Sequence, residues 1–150
     1  MVIGVGTLKK ERNMIPNTIE EAFVELHKLS SVGFFSSKTT SYDWNKWLAI
    51  EEDDAIAFSH HSIGQWIRNE WELWGGYGEL KKWFIANEIK HPDDMSAIIL
   101  RSYHRFKNNK DMNIEEQIEE TVQYYLSDKE KLMRERKKKI NELSNEENNC

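Results

Sequence analysis

The run of residues from 55 to 74 most constrains the fold, because its large apolar side chains repeat at a helical interval. Relative positions 0, 3, 4, 8 and 11 fall on one face of an α-helix and are occupied by Ile63, Trp66, Ile67, Trp71 and Trp74. Gly75 and Gly76 follow directly and predict the end of this helix. Since six Trp, six Phe and five Tyr carry much of the apolar area in a chain that is 39% hydrophobic, we expect a Trp-rich core.

Further helices are predicted on both sides of this run. Thr18 with Glu21 is a capping-box pattern, and apolar residues at helical spacing follow it over 18–29. Residues 30–41 are mostly Ser, Thr and Gly, and they predict a loop that packs Phe34 and Phe35 against the domain. A short helix is expected after this loop, over 44–50. Another helix opens at Gly78, and its inward-facing residues are predicted to be Leu80, Trp83 and Phe84.

The segment H-P-D-D at residues 91–94 is typical of a helix start. His91 supplies a cap, Pro92 suits the first helical position, and two carboxylates follow where the helix dipole favours negative charge. The apolar face of this helix is predicted to hold Met95, Ile98, Ile99, Tyr103 and Phe106.

The C-terminal third predicts one long charged helix. Asn113 and Glu116 resemble a capping box, and apolar residues recur at gaps of about three and four up to Leu143, a span of about 45 Å. We therefore expect a mainly α fold, a compact bundle of about five helices with a long charged C-terminal helix. Its predicted divisions are an N-terminal arm, a motif-bearing domain, the long helix and a frayed, disordered tail, at residues 1–16, 17–110, 111–143 and 144–150.

Charge and cysteine content narrow the classes of function. The net charge is -5, which argues against capture of nucleic acid by the whole surface. The single cysteine, Cys150, gives no internal disulfide, and the short apolar run over 2–8 has the features of neither a signal peptide nor a membrane anchor. We therefore expect a cytoplasmic protein that does not enter membranes.

One candidate site combines polar and aromatic side chains of two predicted helices. Their cations and rings suit a small anionic ligand that is phosphorylated or nucleotide-like. The candidate ligand-binding residues are His61, Gln65, Trp66, Arg68, Asn69, Trp71, His91, Asp94, Arg101 and Arg105. Alternatively, Arg68 and Asn69 are structural and pair with Asp93 or Asp94, because buried polar groups need partners.

Two other groups of residues are candidate sites. His91 with Asp93 and Asp94 suggests a metal site or an acid–base set, but no H-x-x-x-H or H-E-x-x-H spacing is present, so we predict neither a metal nor a cofactor. The basic run R-E-R-K-K-K at 134–139 suits a contact with nucleic acid or an acidic protein, or simply a solvated helix, since neighbouring glutamates dilute its charge. No Walker loop, G-x-S-x-G or C-x-x-C motif occurs, which favours binding over catalysis.

Two strings of residues, G-Q-W-I-R-N-E-W-E-L-W from 64 to 74 and H-P-D-D-M-S-A-I-I-L-R-S-Y-H-R-F from 91 to 106, resemble a small uncharacterised bacterial and phage domain family. The resemblance covers about residues 17–107. It implies a packed unit of helices and no particular reaction. The motif positions are Gly64, Arg68, Asn69, Trp71, Trp74, His91, Asp93 and Asp94.

Three functions remain open on this sequence. The first is a non-catalytic cytosolic binding protein of the accessory, immunity or phage-encoded inhibitor type, which engages a protein partner or a second copy through its C-terminal helix. The second sequesters a small phosphorylated or nucleotide-like ligand in a Trp/Arg/His pocket. The third is a hydrolase that uses His and Asp as acid and base.

Overall fold

Helices form most of this computed structural model, which describes residues 14–31, 36–37, 40–41 and 44–149. The mainly α fold class is thereby confirmed. Within those residues there are eight helices: α1 (Ile19–Ser31), α2 (Trp44–Ala49), α3 (Glu52–Ser59), α4 (Ile63–Glu70), α5 (Glu79–Ala86), α6 (Pro92–Lys107), α7 (Ile114–Tyr125) and α8 (Asp128–Glu147). Two short antiparallel strands, β1 (Ser36–Ser37) and β2 (Thr40–Ser41), pair Ser36 with Ser41 and Ser37 with Thr40.

Helix α6 is the centre of the fold, and α1, α3, α4 and α7 pack against it. Its 16 residues begin at the predicted H-P-D-D signal, where His91 Nδ1 accepts a hydrogen bond from the Asp93 backbone N–H. Each fully buried large apolar side chain stabilises the fold by roughly 1.5–3 kcal/mol. The buried residues of α6 are Pro92, Met95, Ser96, Ile98, Ile99, Leu100, Ser102, Tyr103 and His104.

Aromatic rings close the core between α2 and α6, as the composition predicts. Trp47 is fully buried, lies edge-on to Trp44 and stacks on Tyr103 at a centroid distance of 6.4 Å. Its indole N–H donates to the Ala55 carbonyl at 3.0 Å and to Ser59 Oγ at 2.5 Å. The ring therefore satisfies its polar atom while joining α2 to α3.

The prediction of one helix up to Gly75 is wrong, because α4 ends at Glu70. Glu72 adopts a left-handed conformation with φ 54°, and the Leu73 N–H bonds back to the Arg68 carbonyl at 3.0 Å. This is a Schellman ending without the usual glycine. The turn rotates Trp74 out of the predicted apolar face and leaves it exposed.

Three further predictions need correction. The predicted count of about five helices is too low, partly because the acidic cluster at 51–54 opens a helix of its own, α3. The inward face predicted for α5 is correct for Leu80 and Phe84, but Trp83 is partly exposed. On α6, Phe106 is also half exposed, although one side of its ring contacts Phe23 of α1 at a centroid distance of 5.2 Å.

The predicted long C-terminal helix is two helices. Leu126 and Ser127 have extended backbone angles and separate α7 from α8. Ser127 then starts α8 with a complete capping box to Glu130, a stronger start signal than the one predicted at Asn113, whose side chain makes no capping hydrogen bond. Helix α8 continues to Glu147, so residues 144–147 of the predicted tail are helical.

At the other end, the predicted helix start at Thr18 is confirmed. Thr18 Oγ1 accepts from the Glu21 N–H at 3.1 Å, and the Glu21 carboxylate accepts from the Asn17 N–H at 2.6 Å. The short helix predicted near residue 44 is also present, as α2. Most of the predicted arm at 1–16 lies outside the described residues, as do Phe34 and Phe35. Among the helices described, none is long and apolar enough to cross a membrane.

Candidate functional site

The junction of α4 and α6 is built on the buried side chain of Arg68, which is 4% exposed. Its Nη1 donates to Ser96 Oγ and its Nη2 to the His60 carbonyl, both at 2.9 Å. Its Nε lies 3.1 Å from Asp93 Oδ1 in an ion pair. The structural alternative for Arg68, pairing with Asp93, is the arrangement found.

Gly64 makes room for this arginine one turn earlier on α4. A Cβ atom at this position would lie 2.9 Å from the Ser59 carbonyl oxygen and 3.1 Å from Arg68 Nη1. The first contact is with backbone and is closer than real Cβ atoms approach. A glycine therefore lets α4 approach the end of α3 and lets Arg68 reach His60.

Two histidines surround the outer side of Asp93. His60 Nε2 lies 4.0 Å and His91 Nδ1 lies 3.7 Å from Asp93 Oδ2. His91 also meets the exposed ring of Trp74 edge-on, with centroids 5.7 Å apart. The two motif strings therefore meet at one place, with Arg68 beneath Asp93 and His91 beside it.

A cavity of about 740 Å³ lies beside this junction. It is open on one side, and the exposed rings of Trp74 and Tyr77 stand at its edge. Its lining residues are Arg68, Asn69, Glu72, Trp74, Gly75, Gly76, Tyr77 and Gly78. The charge of Arg68 is already met by Asp93, so the cavity offers an anion little uncompensated positive charge.

The other two predicted arginines lie further along α6 and pair with the start of α3. Arg105 donates from Nε to Glu52 Oε1 at 2.6 Å and from Nη2 to Oε2 at 3.0 Å. Arg101 Nη1 donates to Glu52 Oε2 at 2.6 Å and to Asp53 Oδ1 at 2.7 Å. The Arg105 guanidinium, assisted by Arg101 and opposed by desolvation, lowers the pKa of Glu52 from 4.5 to about 2.

These ion pairs lie in a second cavity, of about 600 Å³, between α3, α6 and α7. Asp94 lies on its wall and accepts a hydrogen bond from the Tyr125 hydroxyl at 2.8 Å, which raises the pKa of Tyr125. Four carboxylates line the cavity against two guanidinium groups: Glu52, Asp53, Asp94 and Glu120 against Arg101 and Arg105. Its net charge is therefore negative, which disfavours a phosphate ligand.

The structure divides the ten predicted site residues between these places. Arg68 and Asn69 line the first cavity, Asp94, Arg101 and Arg105 line the second, and His91 caps α6. Trp71 is buried in the core and meets the half-buried Trp66 edge-on at 6.0 Å. His61 and Gln65 are exposed on the surface. Sequence reasoning missed Glu52 and Asp53 as partners of the arginines, although the acidic cluster at 51–54 was a visible signal.

Helix α8 presents a different kind of surface, because none of its side chains is buried in the part of the chain that the structure describes. At about 100° per residue, its apolar side chains fall within an arc of about 100°. They are 49–62% exposed and comprise Leu132, Met133, Ile140 and Leu143, here called the α8 stripe. Arg134, on the opposite side of the helix, pairs with Glu88 at the end of α5. The helix thus meets the domain with a polar side and turns its apolar side away.

Helices packed on the α4–α6 junction, with an extended helix attached, define the class of this protein: an all-α domain with a helical arm. The chain belongs to the family DUF6794, a domain of unknown function, whose model matches residues 15–107. This confirms the resemblance to an uncharacterised domain family, and the match ends with α6. No curated protein and no solved structure matches the chain. Among the described residues, no group of three or more His, Cys, Asp or Glu side chains is arranged to hold a metal ion.

Proposed function

We propose that the protein is a non-catalytic cytosolic binding protein that engages another polypeptide through the α8 stripe. The observation that carries this proposal is the orientation of α8. Arg134 holds its polar side to the domain through Glu88, while Leu132, Ile140 and Leu143 face outward. A helix with one exposed apolar face is the form that docks against another helix or into a groove.

The proposal of a small anionic ligand has weaker support. Each of the three arginines expected to bind it already has a carboxylate partner: Asp93 for Arg68, and Glu52 for Arg101 and Arg105. A ligand phosphate would have to compete with these carboxylates, and for Arg68 it would have to enter a buried site. Mass spectrometry of small molecules released from the purified protein tests this alternative directly.

The hydrolase alternative is weaker again. The geometry places His91 and His60 near Asp93, but His91 Nδ1 accepts the backbone hydrogen bond that starts α6. Asp93 in turn pairs with Arg68. Both groups are therefore occupied in holding the α4–α6 junction, and neither is available as a base without loosening it.

The test compares two variants with equal charge changes on opposite sides of α8. Ile140→Glu/Leu143→Glu places two carboxylates in the stripe, and Asn141→Glu/Asn145→Glu places two on the far side. Because all four residues are exposed, circular dichroism and the urea midpoint are expected to stay close to those of the wild type. Light scattering gives the particle mass, and a pull-down from cell extract gives any retained protein.

We expect the wild type and the far-side variant to associate, either with themselves or with a defined protein, and the stripe variant to remain a single chain. The proposal fails if the wild type is monomeric and retains no protein. It also fails if the two variants associate equally, since the stripe would then play no part.

A further inference from the structure

The charges of α8 are arranged in three blocks, which limits what can lie against it. Its middle, residues 134–139, holds five Lys or Arg and one Glu. Carboxylates lie at both ends, at Asp128 and Glu130 and at Glu146 and Glu147. Arg136 and Lys139 fall on the same side of the helix as the α8 stripe, given about 100° per residue. A partner must therefore offer negative charge opposite the middle of α8.

Two α8 helices do not meet this requirement. Aligned along their full length, in either direction, they bring the basic residues 134–139 of one helix against the same residues of the other. Opposed like charges destabilise a helix pair and select against it. Repulsion between the basic residues thus disfavours direct pairing of two α8 helices, although the apolar side chains of two stripes could pack together.

Helix α7 has the complementary face. It carries four glutamates and no Lys or Arg, and Glu115, Glu116, Glu119 and Glu120 are all exposed. Glu116 and Glu120 lie on one side with the exposed ring of Tyr124, at spacings of four residues. This face offers both the charge that residues 134–139 need and an aromatic ring for the stripe.

Within one chain the two helices do not make this contact. Leu126 and Ser127 are extended, and α8 leaves the end of α7 without lying along it. Arg134 instead directs the far side of α8 to Glu88. The acidic face of α7 and the α8 stripe of one molecule are therefore both accessible to a second molecule.

We propose that the occupant of the α8 stripe is a second copy of this chain, with α8 of each molecule lying along the acidic face of α7 of the other. This rests on the proposed function and names its partner. A two-fold axis forms this contact twice: α8 of the first molecule lies on α7 of the second, and α8 of the second lies on α7 of the first through the same residues. Helix α7 is about 18 Å long and α8 about 30 Å, so residues 134–139 can face the glutamates while apolar residues cover Tyr124.

The experiment is sedimentation equilibrium of the full chain with paired charge reversals. Glu116→Lys/Glu120→Lys makes the acidic face of α7 basic, and Arg136→Glu/Lys139→Glu makes the facing side of α8 acidic. We expect each variant to weaken dimerisation at least about tenfold, because each brings like charges together in both α7–α8 contacts. An equimolar mixture of the two is expected to dimerise again, because both of its α7–α8 contacts join opposite charges.

The control is Lys131→Glu/Lys138→Glu, which reverses two charges on the side of α8 away from the stripe. It is expected to dimerise like the wild type, at twice the 17.8 kDa of the single chain. Circular dichroism checks that each variant is folded, and a chain carrying all four reversals is expected to dimerise by itself.

The assignment is overturned if the mixture and the four-reversal chain stay monomeric, or if the reversals have no effect on a dimer that Ile140→Glu/Leu143→Glu abolishes. It is also overturned if the wild type is monomeric but retains a different protein through the stripe. In the last two cases the proposed function stands while its partner has been misassigned. Both proposals fail if the wild type neither dimerises nor retains a protein, or if changes in the α8 stripe have no effect on association.

Discussion

Replacing Glu52 with Gln is expected to lower the free energy of unfolding at neutral pH and to make that free energy less sensitive to acid. Glu52 is the shared partner of Arg101 and Arg105, and its side chain is 20% exposed. Its carboxylate accepts three hydrogen bonds from these guanidinium groups, at 2.6, 2.6 and 3.0 Å. Gln keeps the shape of the side chain but removes the negative charge that holds α3 to α6.

The magnitude follows from the pKa of Glu52. Arg105, with Arg101, lowers this pKa from 4.5 to about 2, and each unit corresponds to about 1.36 kcal/mol. The ion pairs of Glu52 with the two arginines therefore contribute about 3 kcal/mol at most to the free energy of unfolding. Because Glu52 is partly exposed, the expected loss on its replacement is reduced to about 2 kcal/mol. Because the folded pKa is the lower one, this stability is present above pH 4.5 and is lost as the pH falls from 4.5 towards about 2.

The assay is urea unfolding followed by tryptophan fluorescence at pH 7, 5, 4 and 3. Glu52→Gln is expected to lower the free energy of unfolding by about 2 kcal/mol at pH 7, with the deficit shrinking at pH 3. Glu51→Gln is the matched control, since Glu51 is the exposed neighbouring carboxylate before α3. If the two variants lose stability equally, or if Glu52→Gln keeps the full acid sensitivity of the wild type, the reasoning is refuted.

Three other predictions concern single positions. Arg68→Met is expected to cost about 3 kcal/mol in urea unfolding because the Ser96 hydroxyl, the His60 carbonyl and the partly exposed Asp93 carboxylate all lose the buried guanidinium. Adding Asp93→Asn is expected to restore part of that loss, and additive losses would show that the two residues are not coupled. Gly64→Ala is expected to cost about 1–3 kcal/mol in the same assay because its Cβ meets the Ser59 carbonyl, and unchanged stability would contradict the close approach. Ser127→Ala is expected to cost about 1 kcal/mol through loss of the cap of α8, seen as reduced helicity in thermal circular dichroism, and no change in helicity would mean that the cap is not needed.

Helices that combine a regular apolar period with a local start signal were predictable from the sequence. The capping hydrogen bonds that start α1 at Thr18 and α6 at His91 join residues no more than three positions apart. A short stretch of sequence is therefore enough to predict these helix starts. The buried face of α6 follows in the same way from the spacing of Met95, Ile99 and Tyr103.

Helix ends were less predictable, because several lack the residue that usually marks them. Glu72, Glu88 and Asn109 take positive φ angles at the ends of α4, α5 and α6, in a conformation that glycine adopts more easily. Tertiary packing holds these turns, as when buried Trp71 and Leu73 fix the chain around Glu72. The break at Leu126 was hidden for a related reason, since the apolar spacing continues through it.

Site residues were identified by type, but not by partner. The sequence marks Arg101 and Arg105 as cations beside an apolar face, yet their partners lie 48–53 residues away in the chain. Only the packing of α3 on α6 brings Glu52 within reach. For Arg68 the sequence offers Asp93 and Asp94 as partners, and the choice of Asp93 depends on the rotation of the first turn of α6.

Stability and association are expected to reside in different parts of this chain. The Arg68–Asp93 and Arg105–Glu52 contacts lie inside the 15–107 region that the DUF6794 model matches, whereas the α8 stripe lies outside it. Because no α8 side chain is buried among the described residues, removing apolar groups from the stripe removes little folding energy. Conversely, losing Arg68 weakens the α4–α6 junction without changing the face that α8 presents. Variants of the junction should therefore affect dimerisation only through the fraction of folded chain, and variants of the stripe should affect dimerisation at constant fold.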